Sequence, residues 1–339
     1  MKTSTDSYNY FAEVDRSLIK EVFRRESRRQ NNAPKISVVV ATYNRDHLIT
    51  RALTALVSQN LPKDFFEIIV VNDGSSDKTE EKVKNFIEQN ASTLITLITL
   101  EKNLGSSFAR NAGILSSGGE FIAITDDDCI APPEWLYQFL SAFETNKECI
   151  AVGGWKKPHR DNGAEPSRYD TFMFWRRLPY MKAECKSATM SPFNNCGDTA
   201  NVCYRKQALL DCGGFNHNLR TFNDWELKIR LHKLGAPLLY RPVFIPHEAD
   251  FNFRKFVRYW LRVGYDCFLI SKIHPTCPVF NTSFKTSLWR ALAGTSHIIK
   301  ALNDEIFQKT ISQALFFIFL EININACLWL GKYMIIKNR

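Results

Sequence analysis

The sequence predicts an α/β fold: a mostly parallel central sheet with helices flanking it, followed by a helical C-terminal extension. Three observations carry this. Between residues 35 and 143, short β-branched apolar runs alternate with segments of helical spacing, the rhythm of βαβ crossovers. The strand runs are apolar throughout rather than alternating, which marks strands buried on both faces. A chain of 339 residues with 45% hydrophobic and 23% charged content can bury a sizeable core, and its 15 glycines and 13 prolines are too few for a collagen-like or low-complexity chain.

The elements follow in order. Residues 1–34 read as a polar leader, partly helical or disordered, with one short amphipathic helix over Leu18 to Arg28. Ile36 to Ala41 is the first core strand and Arg45 to Gln59 has helical spacing; Phe66 to Val71 and Asp77 to Gln89 repeat the pair. Leu94 to Leu100 is a strand, Ser106 to Ser116 a helix, Phe121 to Thr125 a strand and Pro133 to Phe143 a helix. In such sheets ligands sit beyond the carboxyl ends of the strands. The residues standing there are Ala41-Thr42-Tyr43-Asn44, Asn72-Asp73-Gly74-Ser75-Ser76 and Asp126-Asp127-Asp128.

Neither G-x-G-x-x-G after a strand nor G-x-x-x-x-G-K-[ST] is present, so a dinucleotide fingerprint and a P-loop are both excluded. Three successive carboxylates repel one another unless a cation sits among them. Asp126 and Asp128 can share a hard Mg2+ or Mn2+ that also binds a diphosphate. Asp73 can accept hydrogen bonds from a base or sugar. A solvated acidic turn and ordinary Asn-Asp-Gly turn chemistry explain the same residues structurally.

The run Val38-Val39-Val40-Ala41-Thr42-Tyr43-Asn44-Arg45, then Ile69-Val70-Val71-Asn72-Asp73-Gly74-Ser75-Ser76-Asp77, Ala109-Arg110-Asn111-Ala112-Gly113 and Thr125-Asp126-Asp127-Asp128-Cys129 resembles the nucleotide-binding half of the family 2 glycosyltransferases, whose fold is the Rossmann-like GT-A. The likeness continues through Asn195-Cys196-Gly197-Asp198-Thr199-Ala200-Asn201 and Cys212-Gly213-Gly214-Phe215 into Asn223-Asp224-Trp225-Glu226. It covers about residues 35–250, dividing them into a nucleotide-binding half (35–130) and an acceptor half (131–250).

By position, the resemblance implies that Ala41, Thr42, Tyr43, Asn44, Asp73, Arg110, Asp126 and Asp127 surround a nucleoside-diphosphate sugar, with Asp126 and Asp128 as the D-x-D pair holding Mn2+ or Mg2+. His247 falls where many GT-A enzymes complete the metal site. Arg110 also has its own rationale, since a guanidinium makes forked hydrogen bonds to a diphosphate. Gly197 matches a glycine-containing loop before the acceptor site. Asp224 matches the second acid of an E-D pair that acts as general base in inverting enzymes; here the pair reads Asn223-Asp224. The implied chemistry is a single displacement, with the ion neutralising the leaving diphosphate and Asp224 taking the acceptor proton. Trp155 can stack on a sugar of the acceptor, a glycan or a lipid-linked glycan, although buried core is the commoner fate of tryptophan. Asp224 also suits a helix first turn, His247 a loop, Gly197 a turn and Arg110 a surface helix.

The nine cysteines form no C-x-x-C pair, and no apolar segment opens the chain, so the sequence predicts reduced thiols and a cytoplasmic location. The formal charge of +9 is concentrated at the end: residues 251–339 hold 12 Lys and Arg against 4 Asp and Glu. These cations are interleaved with aromatics, and Ile311 to Gly331 is largely apolar with Glu321 in its middle. That pattern predicts a helix on an anionic membrane surface, peripheral to its inner face, or a helix packed on the protein itself. No nucleic-acid motif accompanies the charge. Asn223 in place of an acid leaves room for a catalytically silent nucleotide- or glycan-binding protein of the same fold.

Overall fold

The computed structural model describes residues 8–25, 33–160, 163–175, 198–235, 237–248, 251–277, 292 and 311–331. The chain divides into two compact units, one of Met1–Glu165, Arg176–Asn218 and Asn223–Ala249, the other of Pro166–Trp175, Leu219–Phe222 and Asp250–Arg339.

The first unit is built on an eight-stranded sheet with β1 Ile19–Arg24, β2 Ile36–Thr42, β3 Phe66–Asn72, β4 Leu94–Leu100, β5 Phe121–Asp126, β6 Ala151–His159, β7 Val202–Arg205 and β8 Leu238–Glu248. Their order across the sheet is β1-β4-β3-β2-β5-β7-β6-β8. The core strands β4, β3, β2 and β5 are parallel, as the helical crossovers require. Antiparallel pairs occur where β1 adds to β4 and where β7 joins β5 to β6, so the sheet is mixed.

Helices α1 Ile49–Val57, α2 Thr79–Gln89, α3 Ser106–Ser116 and α4 Trp135–Thr145 cover the faces. Strand alternation sorts the core. Val38, Val40, Ile68 and Val70 pack with Leu53, Val83 and Phe139 of α1, α2 and α4, whereas Ile69, Val71 and Ile98 pack with Phe108, Ala109 and Ala112 of α3. Helix α3 lies unusually close to the sheet: a Cβ on Gly113 would meet Val39 Cγ1 at 2.5 Å. The short α6 Lys206–Asp211 and α7 Asn223–His232 complete this unit.

The leader departs from expectation. Of the helix expected over Leu18 to Arg28, the described part, up to Arg25, forms no α-helix: two 3-10 turns, Tyr10–Glu13 and Arg16–Leu18, lead into strand β1, and residues 26–28 lie outside the described residues. Residues of β1 alternate between half-buried and exposed, the period of an edge strand with one face on the protein, and β4 offers it a free edge. Sheet pairing overrides the weak helical pattern. Upstream, Tyr10 donates its backbone N–H to the Gly213 carbonyl at 2.9 Å.

The second unit contains α5 Arg168–Trp175, α8 Phe253–Ile273 and α9 Ile311–Gly331. The buried face of α9 (Phe317, Leu320, Ile324, Cys327, Leu328) runs along α8, where Gly264 permits the approach: a Cβ there would lie 2.6 Å from the Cys327 carbonyl oxygen. Phe172 of α5 joins this core through Phe256 and Phe317. Among the described residues no helix is long and apolar enough to cross a membrane.

Candidate functional site

Strand register aligns the residues singled out by the sequence. Thr42 pairs across with Asn72, and Ala41 with Asp126, so β2, β3 and β5 end level with one another at their carboxyl edge. The loops then diverge by local hydrogen bonding. Asn44, in the left-handed region at φ 52°, accepts the Ser76 N–H at 2.9 Å through its side-chain oxygen and donates its own N–H to the Ser75 hydroxyl. Tyr43 beside it is exposed. Gly74 must be glycine: its φ is 67°, and a Cβ would lie 2.5 Å from the Lys102 carbonyl carbon.

Asp73 is buried, and its two carboxylate oxygens accept the N–H groups of Leu104 and Gly105 at 2.7 and 2.8 Å. These amides open α3, so Asp73 anchors the start of the helix. Arg110, one turn into α3, donates to Asp126 Oδ1 at 2.9 Å and lies over the Phe215 ring. The guanidinium expected opposite a diphosphate is therefore paired with the first acid of the triplet.

Asp126 to Cys129 forms a turn closed by the Cys129 N–H on the Asp126 carbonyl at 3.2 Å. The end of β8 docks on this turn: Cys129 bridges to His247, Glu248 donates its N–H to the Asp128 carbonyl, and Ile130 donates to Pro246. His247 Nε2 consequently sits 3.3 Å from Asp128 Oδ1. The donor atoms of Asp128, Cys129 and His247 all lie within 4.8 Å of one another. Two of the three residues expected at a metal, Asp128 and His247, belong to this cluster. Asp126 ends a strand and turns to Arg110, Asp128 lies two residues further round the turn, and the third member of the cluster is Cys129. A cysteine in no spaced motif carries no sequence signal, and the β8 bridge that brings His247 to it is a tertiary contact.

A divalent cation fits these donors. Burial and the Lys156 charge hold the His247 imidazole below its usual pKa, leaving a neutral ring with a lone pair. Carboxylate with imidazole suits Mn2+, and carboxylate alone suits Mg2+. Cys129 is buried, and burial with the neighbouring aspartates pushes its thiol well up, so it offers only a weak donor. Asp127, between the two outer acids, is pushed up to about 7 by burial and by Asp128, against the opposing effects of Thr42 and Arg45.

Asp224 lies in the first turn of α7, buried, and burial raises its carboxyl above the ordinary range; Lys228 opposes the shift and Asp198 adds to it. Lys156, which pairs with Asp198 at 3.3 Å, acts electrostatically on both Asp224 and His247. The acid of α7 and the cluster at the end of β5 thus share one electrostatic neighbourhood. Asn223 donates its amide to the Ser107 hydroxyl at 2.8 Å, tying α7 to α3. Glu226 is fully buried and engaged elsewhere, in a forked pair with Arg230 at 2.8 and 2.7 Å; Arg230 also donates to the carbonyls of Cys212 and Gly214.

Two expectations fail or fall outside view. Trp155 is buried, edge-on to Tyr240, so it has no face to offer a sugar; β6 is flanked by β7 and β8, and the residue belongs to the core. Gly197 lies outside the described residues. Asn201, to which the sequence assigned no role, is a hub: it accepts from Trp135 and donates to the carbonyls of Trp155 and Val243, fastening α4, β6 and β8 behind the site.

Comparison with known proteins places this geometry. The chain is 27% identical over 231 residues to glycosyltransferase AglE of Haloferax volcanii, covering 68% of this chain and 72% of that one. It is 30% identical over 225 residues to the probable glycosyltransferase YdaM of Bacillus subtilis, covering 64% of this chain but only 51% of YdaM. Poly-beta-1,6-N-acetyl-D-glucosamine synthase of Staphylococcus epidermidis is 23% identical over 269 residues, with 78% and 62% covered. Among solved structures, mannosyltransferase PcManGT of Pyrobaculum calidifontis, in complex with GDP-Man and Mn2+, superposes with a TM-score of 0.55 at 18% identity, covering 96% of this chain and 80% of that one. S. aureus TarS in complex with UDP-GlcNAc gives 0.52 at 18% identity, with 88% and 90% covered. Both likenesses speak to the fold, which is GT-A. Residues 37–209, half of the chain, match the glycosyl transferase family 2 model, and the chain is a glycosyltransferase belonging to that family.

Proposed function

We propose that this glycosyltransferase moves a sugar from a nucleoside-diphosphate donor, with UDP the expected nucleotide, to a glycan or lipid-linked acceptor in cell-surface polysaccharide synthesis, with inversion at the anomeric carbon. The carrying observation is the pairing of His247 with Asp128 at 3.3 Å on the strand-end acid turn; the Lys156–Asp198 ion pair is an electrostatic neighbour of both His247 and the buried Asp224, which supports reading the cluster and the acid together. Neighbours of the same fold solved with UDP-GlcNAc and with GDP-Man and Mn2+ support the donor class.

Asp128 and His247 would hold the divalent ion, which would supply positive charge to the donor diphosphate. The chain's own groups do the rest. Ala41, Thr42, Tyr43 and Asn44 line the edge where the nucleotide lies, and the Asp126–Arg110 pair fixes the carboxylate that borders it. Asp224 accepts the proton of the attacking hydroxyl. Its raised pKa makes it a stronger base than an exposed aspartate, and Lys228 favours its ionised form against burial. With the base on one side of the sugar and the leaving diphosphate on the other, a single displacement inverts the configuration.

The test is nucleoside diphosphate release from UDP-, GDP- and dTDP-sugars with Mn2+ or Mg2+. Release of one nucleotide that needs metal, and that disappears in both Asp128→Ala and Asp224→Asn, is expected. Release by Asp224→Asn equal to wild type, also with an added acceptor, would remove the base assignment, and metal-independent release would remove the ion.

A further inference from the structure

We propose that the outward face of α9, with the cations beside it, is a docking surface for an anionic lipid bilayer. The inference rests on the lipid-linked acceptor of the proposed function and gives it a physical site.

A helix on the surface of a water-soluble unit ordinarily shows polar residues outward. Helix α9 does not. Its inner face packs along α8, yet its outer face is also apolar: Leu315, Phe319, Ile322 and Leu330 are 62%, 47%, 52% and 45% exposed. These positions stand at i, i+4, i+7 and i+15, which puts them on one side of the helix. Glu321, the one charged residue of α9, is buried, and Asn325 donates to its side chain and its carbonyl. The apolar row thus runs with no charge on it.

Cations gather along one stretch of this row. Phe253 at the start of α8 is exposed and stacks on Phe319 with ring centroids 6.1 Å apart. Arg254 and Lys255 follow it, both exposed, and Arg258 and Arg262 continue on the same side of α8. On the other neighbour, the Arg168 guanidinium lies 4.8 Å over the Phe316 ring. Aromatic rings therefore connect the apolar row to basic side chains.

This combination selects the occupant. A second copy pairing face to face would bring like charges together. A nucleic acid would meet the cations but leave the apolar row in water. A bilayer with anionic headgroups satisfies both, accepting the apolar side chains at the headgroup–acyl boundary and the guanidinium and ammonium groups among the phosphates.

The experiment is flotation of the full chain with vesicles of phosphatidylcholine alone or with 30% phosphatidylglycerol, at low and high salt. It uses wild type, Phe319→Ser/Ile322→Ser and Arg254→Gln/Lys255→Gln, with circular dichroism and donor hydrolysis reporting on folding. Wild type is expected to float with the anionic vesicles only and to be released by salt. Each cation removed should weaken partitioning about 5-fold, and the apolar pair should abolish it with donor hydrolysis intact. A folded, active wild type that ignores anionic vesicles overturns the proposal. So does a wild-type dimer by light scattering that Phe319→Ser/Ile322→Ser converts to monomer. Flotation without hydrolysis of any donor would instead overturn the proposed function and leave the docking surface standing.

Discussion

Two acids, two residues apart on α7, are expected to fail in opposite ways when replaced. Glu226 is completely buried and forks onto Arg230, which also holds the Cys212 and Gly214 carbonyls and lies 5.3 Å from the centre of the Tyr10 ring. Glu226→Gln leaves the guanidinium buried without its counter-charge, and breaking such a pair costs about 3–5 kcal/mol. At roughly 2–4 °C per kcal/mol for a domain of about 150–250 residues, the melting temperature should fall by about 6–20 °C. Below that transition turnover should persist, because Glu226 faces the Cys212–Gly214 turn. Asp224→Asn should reverse the pattern. Burial raises the folded-state pKa of Asp224 above its unfolded value, so the folded state holds the proton more tightly, and stability falls as pH rises through that raised pKa. At pH values above that raised pKa an asparagine removes a buried charge, and the variant should be as stable as wild type or more so. Loss of a general base should lower turnover about 10²–10⁴-fold. The assay is nucleoside diphosphate release alongside thermal melting above that pKa. Glu226→Gln with native melting and lost turnover would refute the argument, and so would Asp224→Asn with native turnover.

Three further outcomes follow from the same geometry. Lys228 favours the ionised form of Asp224, so Lys228→Met should move the acidic limb of kcat/KM to higher pH by about 1–2 units, and Lys228→Arg should restore it; an unmoved limb would remove Lys228 from the tuning of the base. His247→Ala should raise the metal concentration for half-maximal activity at least about 10-fold while nucleotide binding at saturating metal persists, as titration calorimetry would read. Gly74→Ala must place a Cβ 2.5 Å from the Lys102 backbone at φ 67°, so it should lower stability by at least about 1–3 kcal/mol in urea unfolding; an unshifted midpoint would mean that the facing loop yields freely.

The parallel core of the sheet was legible because its signals are local. Continuous β-branched runs between helical segments fix β2 to β5 and α1 to α4 to within a few residues, and the strand-end acids sit where a parallel sheet must present them. What escaped depends on partners distant in sequence. Over Ile19–Arg24 the weak helical pattern lost to the free edge of β4, whose partners lie 72 to 81 residues on. Cys129 joins Asp128 and His247 only because β8 returns to the acid turn, and Trp155 reads the same whether it faces a sugar or the interior. Asp73 shows a subtler limit. Its position at the carboxyl edge of the sheet was readable, but its engagement by the Leu104 and Gly105 amides belongs to the start of α3.

That helix explains why an asparagine can precede Asp224. From one face of α3, Ser107 receives the Asn223 amide, Arg110 grips Asp126, and Asn111 exchanges two hydrogen bonds with the backbone of Phe215. One rigid element thus sets the strand-end acid, the Cys212–Phe215 turn and the first turn of α7 relative to each other. Asn223 makes this link as a neutral donor to the Ser107 hydroxyl. An acid there would add a second negative charge beside Asp224, whose carboxyl already feels Asp198. The asparagine therefore holds the clamp and leaves one carboxylate at the helix start, the proton acceptor of the proposed mechanism, with Lys228 as its counter-charge. The departure from an acid pair is thus compatible with the proposed mechanism, in which Asp224 is the acid expected to carry the proton transfer.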